Sequence, residues 1–138
     1  MTYGEFHKGY KQLDLLPDEL LFGIHLRRRV SDWKQYSRKV GPRRAQAISK
    51  VCLAATALLQ QDVIGDIRIA AASVAPIPIR CRRTESALHG KSLSPETIAI
   101  ARDTIANEVE PIDDIRSTRD YRRLVTANLL AEFLGGLK

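Results

Sequence analysis

Apolar residues change their spacing along this chain, and those changes predict its elements. Residues 9–15 look extended, and Pro17-Asp18-Glu19 reads as a turn. Leu20-Leu21-Phe22-Gly23-Ile24-His25-Leu26 is a short apolar run that ends in three arginines, and its length favours a strand over a helix. Trp33 to Val40 alternates imperfectly, again as a strand. Gly41-Pro42 then breaks the chain, because proline has no N–H to donate and glycine tolerates unusual dihedrals.

Residues 47–59 carry two periods at once. Ile48, Val51, Ala55 and Leu58 fit a helical stripe, whereas Val51, Leu53, Ala55, Ala57 and Leu59 fit one face of a strand. The downstream run favours the strand: Ile67, Ile69 and Ala71 alternate with Asp66, Arg68 and Ala70, and Gln60-Gln61-Asp62 between the runs is a plausible turn. A hairpin is predicted. Residues 75–80 hold two prolines, which push the residues before them into extended backbone. A short helix over 84–88 follows, closed by Gly90.

The remainder reads as helical. Ser94-Pro95-Glu96 offers an N-cap, a first-turn proline and an acid at the positive helix end. Ile98, Ala101, Ile105 and Val109 repeat along one face until Pro111. Ser117 is expected to cap a second helix, with Asp120 in a capping-box-like position three residues on. Tyr121, Leu124, Val125, Leu129 and Phe133 are expected to line its buried side, and Gly135-Gly136 to end it. Strands first and helices afterwards argue for an α+β layer rather than alternating βαβ units.

Length and composition agree with one globular domain, or one domain plus a fragment of another: 138 residues at 44% hydrophobic can bury a useful core. No segment approaches the ~20 consecutive apolar residues of a membrane span. The first residues lack the basic-then-apolar pattern of a signal peptide, so a soluble, cytoplasmic protein is expected. Cys52 and Cys81 are too few and too far apart to suggest an iron–sulfur cluster or a disulfide framework. They read as small buried or half-buried hydrophobes. His7, His25 and His89 are scattered without metal-ligand spacing.

The net charge of +6 has two readings. Basic residues crowd Arg27-Arg28-Arg29, Lys34, Arg38-Lys39, Arg43-Arg44 and Lys50, then Arg80, Arg82 and Arg83. Such a surface attracts nucleic acid, a phosphate-bearing cofactor or an acidic partner, or is simply a solvated face. Only Trp33 and Tyr36 lie near the cluster, which weakens a nucleic-acid reading based on base stacking. Asp113-Asp114 is the most conspicuous carboxylate pair; adjacent residues point apart, so helix entry and ion pairing fit better than shared acid–base chemistry. No nucleophile pattern or glycine-rich phosphate loop occurs. The Arg38-to-Arg44 stretch sets cations on both sides of a chain break, where they could face an anionic cofactor or only water.

Read as strings, these pieces resemble a known family. Arg38-Lys39-Val40-Gly41-Pro42-Arg43-Arg44-Ala45-Gln46-Ala47-Ile48-Ser49-Lys50 is similar to the RKVGxRRAQAISK signature of flavin subunits in the xanthine dehydrogenase and carbon monoxide dehydrogenase family of molybdenum hydroxylases. Arg68-Ile69-Ala70 with Ser73-Val74-Ala75-Pro76 resembles its RIALGSVAP. Pro111-Ile112-Asp113-Asp114-Ile115-Arg116-Ser117-Thr118, Tyr121-Arg122-Arg123 and Asn128-Leu129-Leu130 resemble its PIDDxRSTxxYRRxVxxNLL ending. Gly9 to Leu15 with Pro17-Asp18-Glu19 looks like GYRKLDLxPxE, the tail of the family's FAD-binding domain. The chain departs from the pattern at Gln12, where lysine is frequent, and at Leu26-Arg27.

The resemblance implies a C-terminal flavoprotein domain over residues 31–138, preceded at 1–30 by the tail of the FAD-binding domain. Its implied fold is a small antiparallel sheet of roughly three or four strands packed on about three helices. The family's glycine-rich loop that grips the FAD pyrophosphate is not expected in this chain, which leaves edge contacts to FAD. Leu21 matches a leucine near the isoalloxazine ring, Lys39 a lysine close to FAD, and Arg43 and Arg44 a loop bordering the flavin. Implied partners are the FAD-binding domain, the molybdopterin subunit and the iron–sulfur subunit, with homo-oligomers also possible. The fragment is expected to be inactive alone. The competing expectation is a stand-alone basic module for nucleic acid or another anionic partner.

Overall fold

A computed structural model describes residues 1–26, 32–43 and 46–137. A one-turn helix α1 (Tyr3–Phe6) and a small hairpin, β1 (His7–Gly9) with β2 (Gln12–Leu13), come first. Four strands follow: β3 (Lys34–Val40), β4 (Val51–Gln60), β5 (Val63–Ala72) and β6 (Ile79–Arg80). Helices α2 (Arg82–Leu88), α3 (Pro95–Glu108) and α4 (Arg119–Gly135) complete the chain. The four strands form one antiparallel sheet in the order β3-β4-β5-β6, with the helices layered on one face. The expected α+β arrangement is present.

Alternation dictates which face is covered. Val51, Leu53, Ala55 and Ala57 of β4, with Ile67, Ile69 and Ala71 of β5, are buried against Ala101, Ile105, Leu130, Phe133 and Leu134 of the helices. The strand period therefore prevails over the helical stripe in residues 47–59, because β5 pairs along nearly the whole length of β4. Gln61 and Asp62 make the tight turn, both with positive φ (49° and 67°), as right-twisted strands joined by two residues require.

Side chains finish what the short β6 leaves open. β6 pairs with β5 only at Arg80 and Ile79. Beyond it, the Ile69 amide donates to Glu85 Oε1 of α2 (2.7 Å), so a carboxylate takes the place of a strand carbonyl. Glu85 also grips the Arg80 guanidinium with both oxygens (2.5 and 2.8 Å). At the start of α2, Glu108 at the end of α3 accepts from the Arg83 amide and from both the amide and hydroxyl of Thr84 (2.7–2.8 Å). Gly90 ends that turn with a left-handed φ of +73° and donates its amide to Ile64 of β5. Ser94 caps α3 as its sequence predicts, accepting from the Thr97 amide at 3.1 Å.

Three expectations are corrected. Residues 20–26 form no strand: no strand among the described residues pairs with them, and all seven are exposed. An apolar run becomes a strand only where a partner satisfies its backbone and covers one face. The cap of α4 is Thr118, whose hydroxyl accepts from the Tyr121 amide at 3.2 Å, not Ser117; Asp120 then falls one place short of a capping box. Tyr121 and Leu124 are exposed, and the buried side of α4 instead runs through Arg122, Thr126, Ala127, Leu129, Leu130, Phe133 and Leu134. The Thr126 hydroxyl is satisfied within the helix by the Arg122 carbonyl (2.7 Å), and the two Arg122 Nη groups by acceptors outside it.

Candidate functional site

Among the described residues no helix lies on the opposite face of the sheet, and register fixes its composition. One row runs across all four strands as Ser37, Ala54, Ala70 and Arg80. Gln35, Thr56 and Arg68 make the row on one side of it, and Lys39, Cys52 and Ala72 the row on the other. Alanine is a poor strand residue on a face that meets only water. A floor of Ser37, Ala54 and Ala70 instead lets another surface approach the backbone closely. Over it lies an open hollow of about 450 Å³, walled by Gln35, Thr56, Arg68 and Arg80. The Arg80 guanidinium is held above its ordinary pKa, chiefly by its hydrogen bonds to Glu85.

Lys39 projects from this face at the end of β3, opposite Cys52. The neighbouring Arg38 points to the helix side, where it pairs with Glu132 (3.6 Å). Also on that side, Tyr36 packs on Phe133, ring centroids 5.5 Å apart. Burial, then the Glu132 charge, pushes the Tyr36 phenol above its usual pKa. Past β3, the chain returns to β4 through residues 41–50. The Lys50 amide donates to the Val40 carbonyl at 2.7 Å, closing the base of the segment. Gly41 permits a close approach there: a Cβ at that position would lie 3.2 Å from the Ala47 methyl. Arg43 folds back onto the Gln46 carbonyl through Nε (3.2 Å) and Nη2 (2.7 Å).

The structure therefore sets Lys39 at one end of the uncovered face, and Arg43 in the connection that leaves β3 three residues beyond Val40. Leu21 is not brought to it: that residue, 57% exposed, lines a separate hollow of about 380 Å³ with Phe6, Leu15, Phe22 and His25. Arg44, with Arg27, Arg28 and Arg29, lies outside the described residues. Within the basic cluster Arg38 is paired with Glu132 and Arg80 with Glu85, and outside it Arg68 is paired with Asp66, Arg119 with Asp113, and Arg116 and Arg122 with Asp114. Asp113 and Asp114 are thus helix-entry and ion-pairing residues, as their neighbours suggest. Asp114 accepts from the Arg116 and Ser117 amides and from Arg122, and the first of these contributes most to holding its carboxyl below the usual range. Cys81 is buried and Cys52 half-buried, both as free thiols. Sequence reasoning missed Arg68 and Arg80 as walls of the open face. Their signal was available for Arg68, which alternates with buried Ile67 and Ile69.

Comparison with known proteins gives this face a context. Residues 36–137 match the family model of the CO dehydrogenase flavoprotein C-terminal domain. The chain belongs to this family. The match begins within β3 and takes in every element that packs on the sheet. A putative xanthine dehydrogenase FAD-binding subunit of Escherichia coli (strain K12) is 26% identical over 118 residues, which are 85% of this chain and 40% of that protein. In fold, the chain resembles a carbon monoxide dehydrogenase from Hydrogenophaga pseudoflava (TM-score 0.88, 23% identity, 96% of this chain and 46% of that one). It also resembles the quinoline 2-oxidoreductase from Pseudomonas putida 86 (TM-score 0.83, 23% identity, 96% of this chain and 45% of that one). The chain thus spans less than half the length of the relatives it matches. These likenesses support the flavoprotein reading and leave the nucleic-acid reading without support. Among the described residues no helix is long and apolar enough to cross a membrane.

Proposed function

We propose that this chain serves as the C-terminal domain of the FAD-carrying subunit of a molybdenum hydroxylase of the xanthine dehydrogenase or carbon monoxide dehydrogenase type. In this reading it encloses FAD and docks partner subunits. FAD supplies the redox chemistry, carrying electrons through the complete enzyme. The observation that carries the reading is the uncovered sheet face: a floor of Ser37, Ala54 and Ala70 with Lys39 at one end, next to the connection that carries Arg43. Its fit to FAD is that of a flank. The hollow is open, its own Arg68 and Arg80 are paired with Asp66 and Glu85, and Lys39 beyond it suits the edge of an anionic cofactor. No glycine-rich loop lies in the sequence to cradle a pyrophosphate. The family resemblance supports edge contacts for Lys39, Arg43 and Arg44 and a place for Leu21 near the isoalloxazine ring, on a segment that stands apart from the open face.

Residues 1–30 are assigned to the tail of a neighbouring FAD-binding domain, and residues 31–138 to the C-terminal domain. The support is burial. None of residues 1–26 is buried, while Leu16, Leu20, Leu21, Phe22, Ile24 and Leu26 are all more than half exposed, the pattern of a segment that packs elsewhere. The proposed partners are that domain, a molybdopterin subunit and an iron–sulfur subunit, in a cytoplasmic complex, with self-association of the isolated chain a further outcome. The test is a flavin titration of the purified chain, read by fluorescence quenching. Weak binding that a Lys39→Ala, Arg43→Ala double variant abolishes is expected. Near-stoichiometric, tight flavin, or weak binding indifferent to both substitutions, would overturn the edge-contact reading.

A further inference from the structure

Arg122 does something that packing α4 on the sheet does not need. Its side chain is 6% exposed, yet it leaves the helix to meet three segments at once. Nη1 donates to the Ser73 carbonyl (2.7 Å) and the Lys50 carbonyl (3.3 Å), and Nη2 to the Asp114 carboxylate (2.7 Å). Ser73 stands just after β5 in a left-handed backbone conformation (φ 65°), and its hydroxyl is 2.7 Å from that of Ser49. The Lys50 ammonium lies over the Tyr121 ring, 5.1 Å from the centroid. Residues 49 and 50 are therefore tied to α4 and to the end of β5, while the Lys50 amide ties them to Val40. These contacts clamp the base of the segment that carries Arg43 and adjoins Lys39.

A buried guanidinium is costly even when paired, and well-packed apolar side chains often replace buried ion pairs without loss of stability. What a forked cation adds is fixed geometry, because it holds several acceptors in one plane. We propose that Arg122 is the positioning residue for the β3–β4 connection, which carries Arg43 beside Lys39 at the end of the open face, acting through Lys50 and Ser73. This inference rests on the flavin-edge reading above. Arg122 itself touches nothing on that face. It sets where Arg43 stands, and the turn from β5 and the Asp114 loop serve as its fixed points.

The test uses the complete FAD-loaded flavin subunit with Arg122→Lys, which keeps the charge but loses the fork. Arg43→Ala and the double variant run beside it. Two quantities are read: amide hydrogen exchange along the chain, and the rate at which ferricyanide reoxidises the reduced flavin. Arg122→Lys is expected to speed exchange by roughly tenfold within 46–50 while α3 and β5 stay unchanged. It should also shift reoxidation by about threefold, in the same direction as Arg43→Ala, with no further shift in the double variant. Uniformly faster exchange would make Arg122 a general stabiliser and overturn the proposal. So would a reoxidation rate that responds to Arg43→Ala and not to Arg122→Lys. If neither variant moves reoxidation, the flavin-edge reading itself fails, and the positioning role with it. Should Arg122→Lys not fold, Ser49→Ala loosens the same clamp: a smaller local rise in exchange with a matching shift in reoxidation supports the proposal, and the absence of either refutes it.

Discussion

Glu108 offers a sharp test of how the helices are held, because one carboxylate satisfies three donors that begin another helix. Its Oε1 accepts from the Arg83 amide, and its Oε2 from the Thr84 amide and hydroxyl, all at 2.7–2.8 Å. In Glu108→Ala the Arg83 amide, which lies at the exposed surface, recovers water and contributes little. Thr84 cannot do so, since it is 0% exposed. Leaving a buried donor unpaired costs about 1–3 kcal/mol, and losing a negative charge at a helix N-terminus adds about 0.3–1 kcal/mol. The two Thr84 donors share one oxygen, so their penalties do not simply add, and about 3 kcal/mol is the expected loss. Glu108→Gln retains a single carbonyl acceptor and should lose about half of that. Urea denaturation measures both, with an unchanged m-value showing that the unfolded state is the same. A loss below about 1 kcal/mol in Glu108→Ala would refute the argument, because the two buried donors would then have to be satisfied in some other way.

Other residues give independent checks. Leu130 is fully buried between α4 and the sheet, so Leu130→Ala should cost about 2–5 kcal/mol by the same denaturation assay. Asp114 titrates below the usual carboxylate range, so the unfolded chain takes up its proton first and the stability it contributes is lost as pH falls from about 4 through its lowered value. The stability gap between the protein and Asp114→Asn should accordingly narrow on acidification, and a gap constant from neutral pH to pH ~3 would contradict this. Burial, aided by Glu108 and Glu85, pushes the Cys81 thiol up to about 12. A maleimide should therefore label native protein at half-buried Cys52 first and at Cys81 only on unfolding, as peptide mass mapping would report.

How much of this was legible beforehand depended on whether the deciding contacts were local. The β4–β5 hairpin could be read because alternation in residues 66–71 resolved the double period in 47–59. Ser94-Pro95-Glu96 announced α3 because a cap is made within one turn of chain. The α4 cap was missed by a single residue, since Ser117 and Thr118 are chemically alike and only the path of the preceding loop chooses between them.

The sequence by itself determined the layer type, the hairpin, the cap of α3 and, through its motifs, the family. Tertiary structure decided the rest. Residues 20–26 have the composition of a strand, yet no strand among the described residues pairs with them. Arg122 has the composition of a surface residue and is buried, because acceptors 72, 49 and 8 residues away converge on it. Likewise, Ser37, Ala54, Ala70 and Arg80 mean little one by one along the chain. Only the register of four strands sets them in one row and makes a face of them, because a strand's side chains acquire neighbours through its partners and not through its sequence.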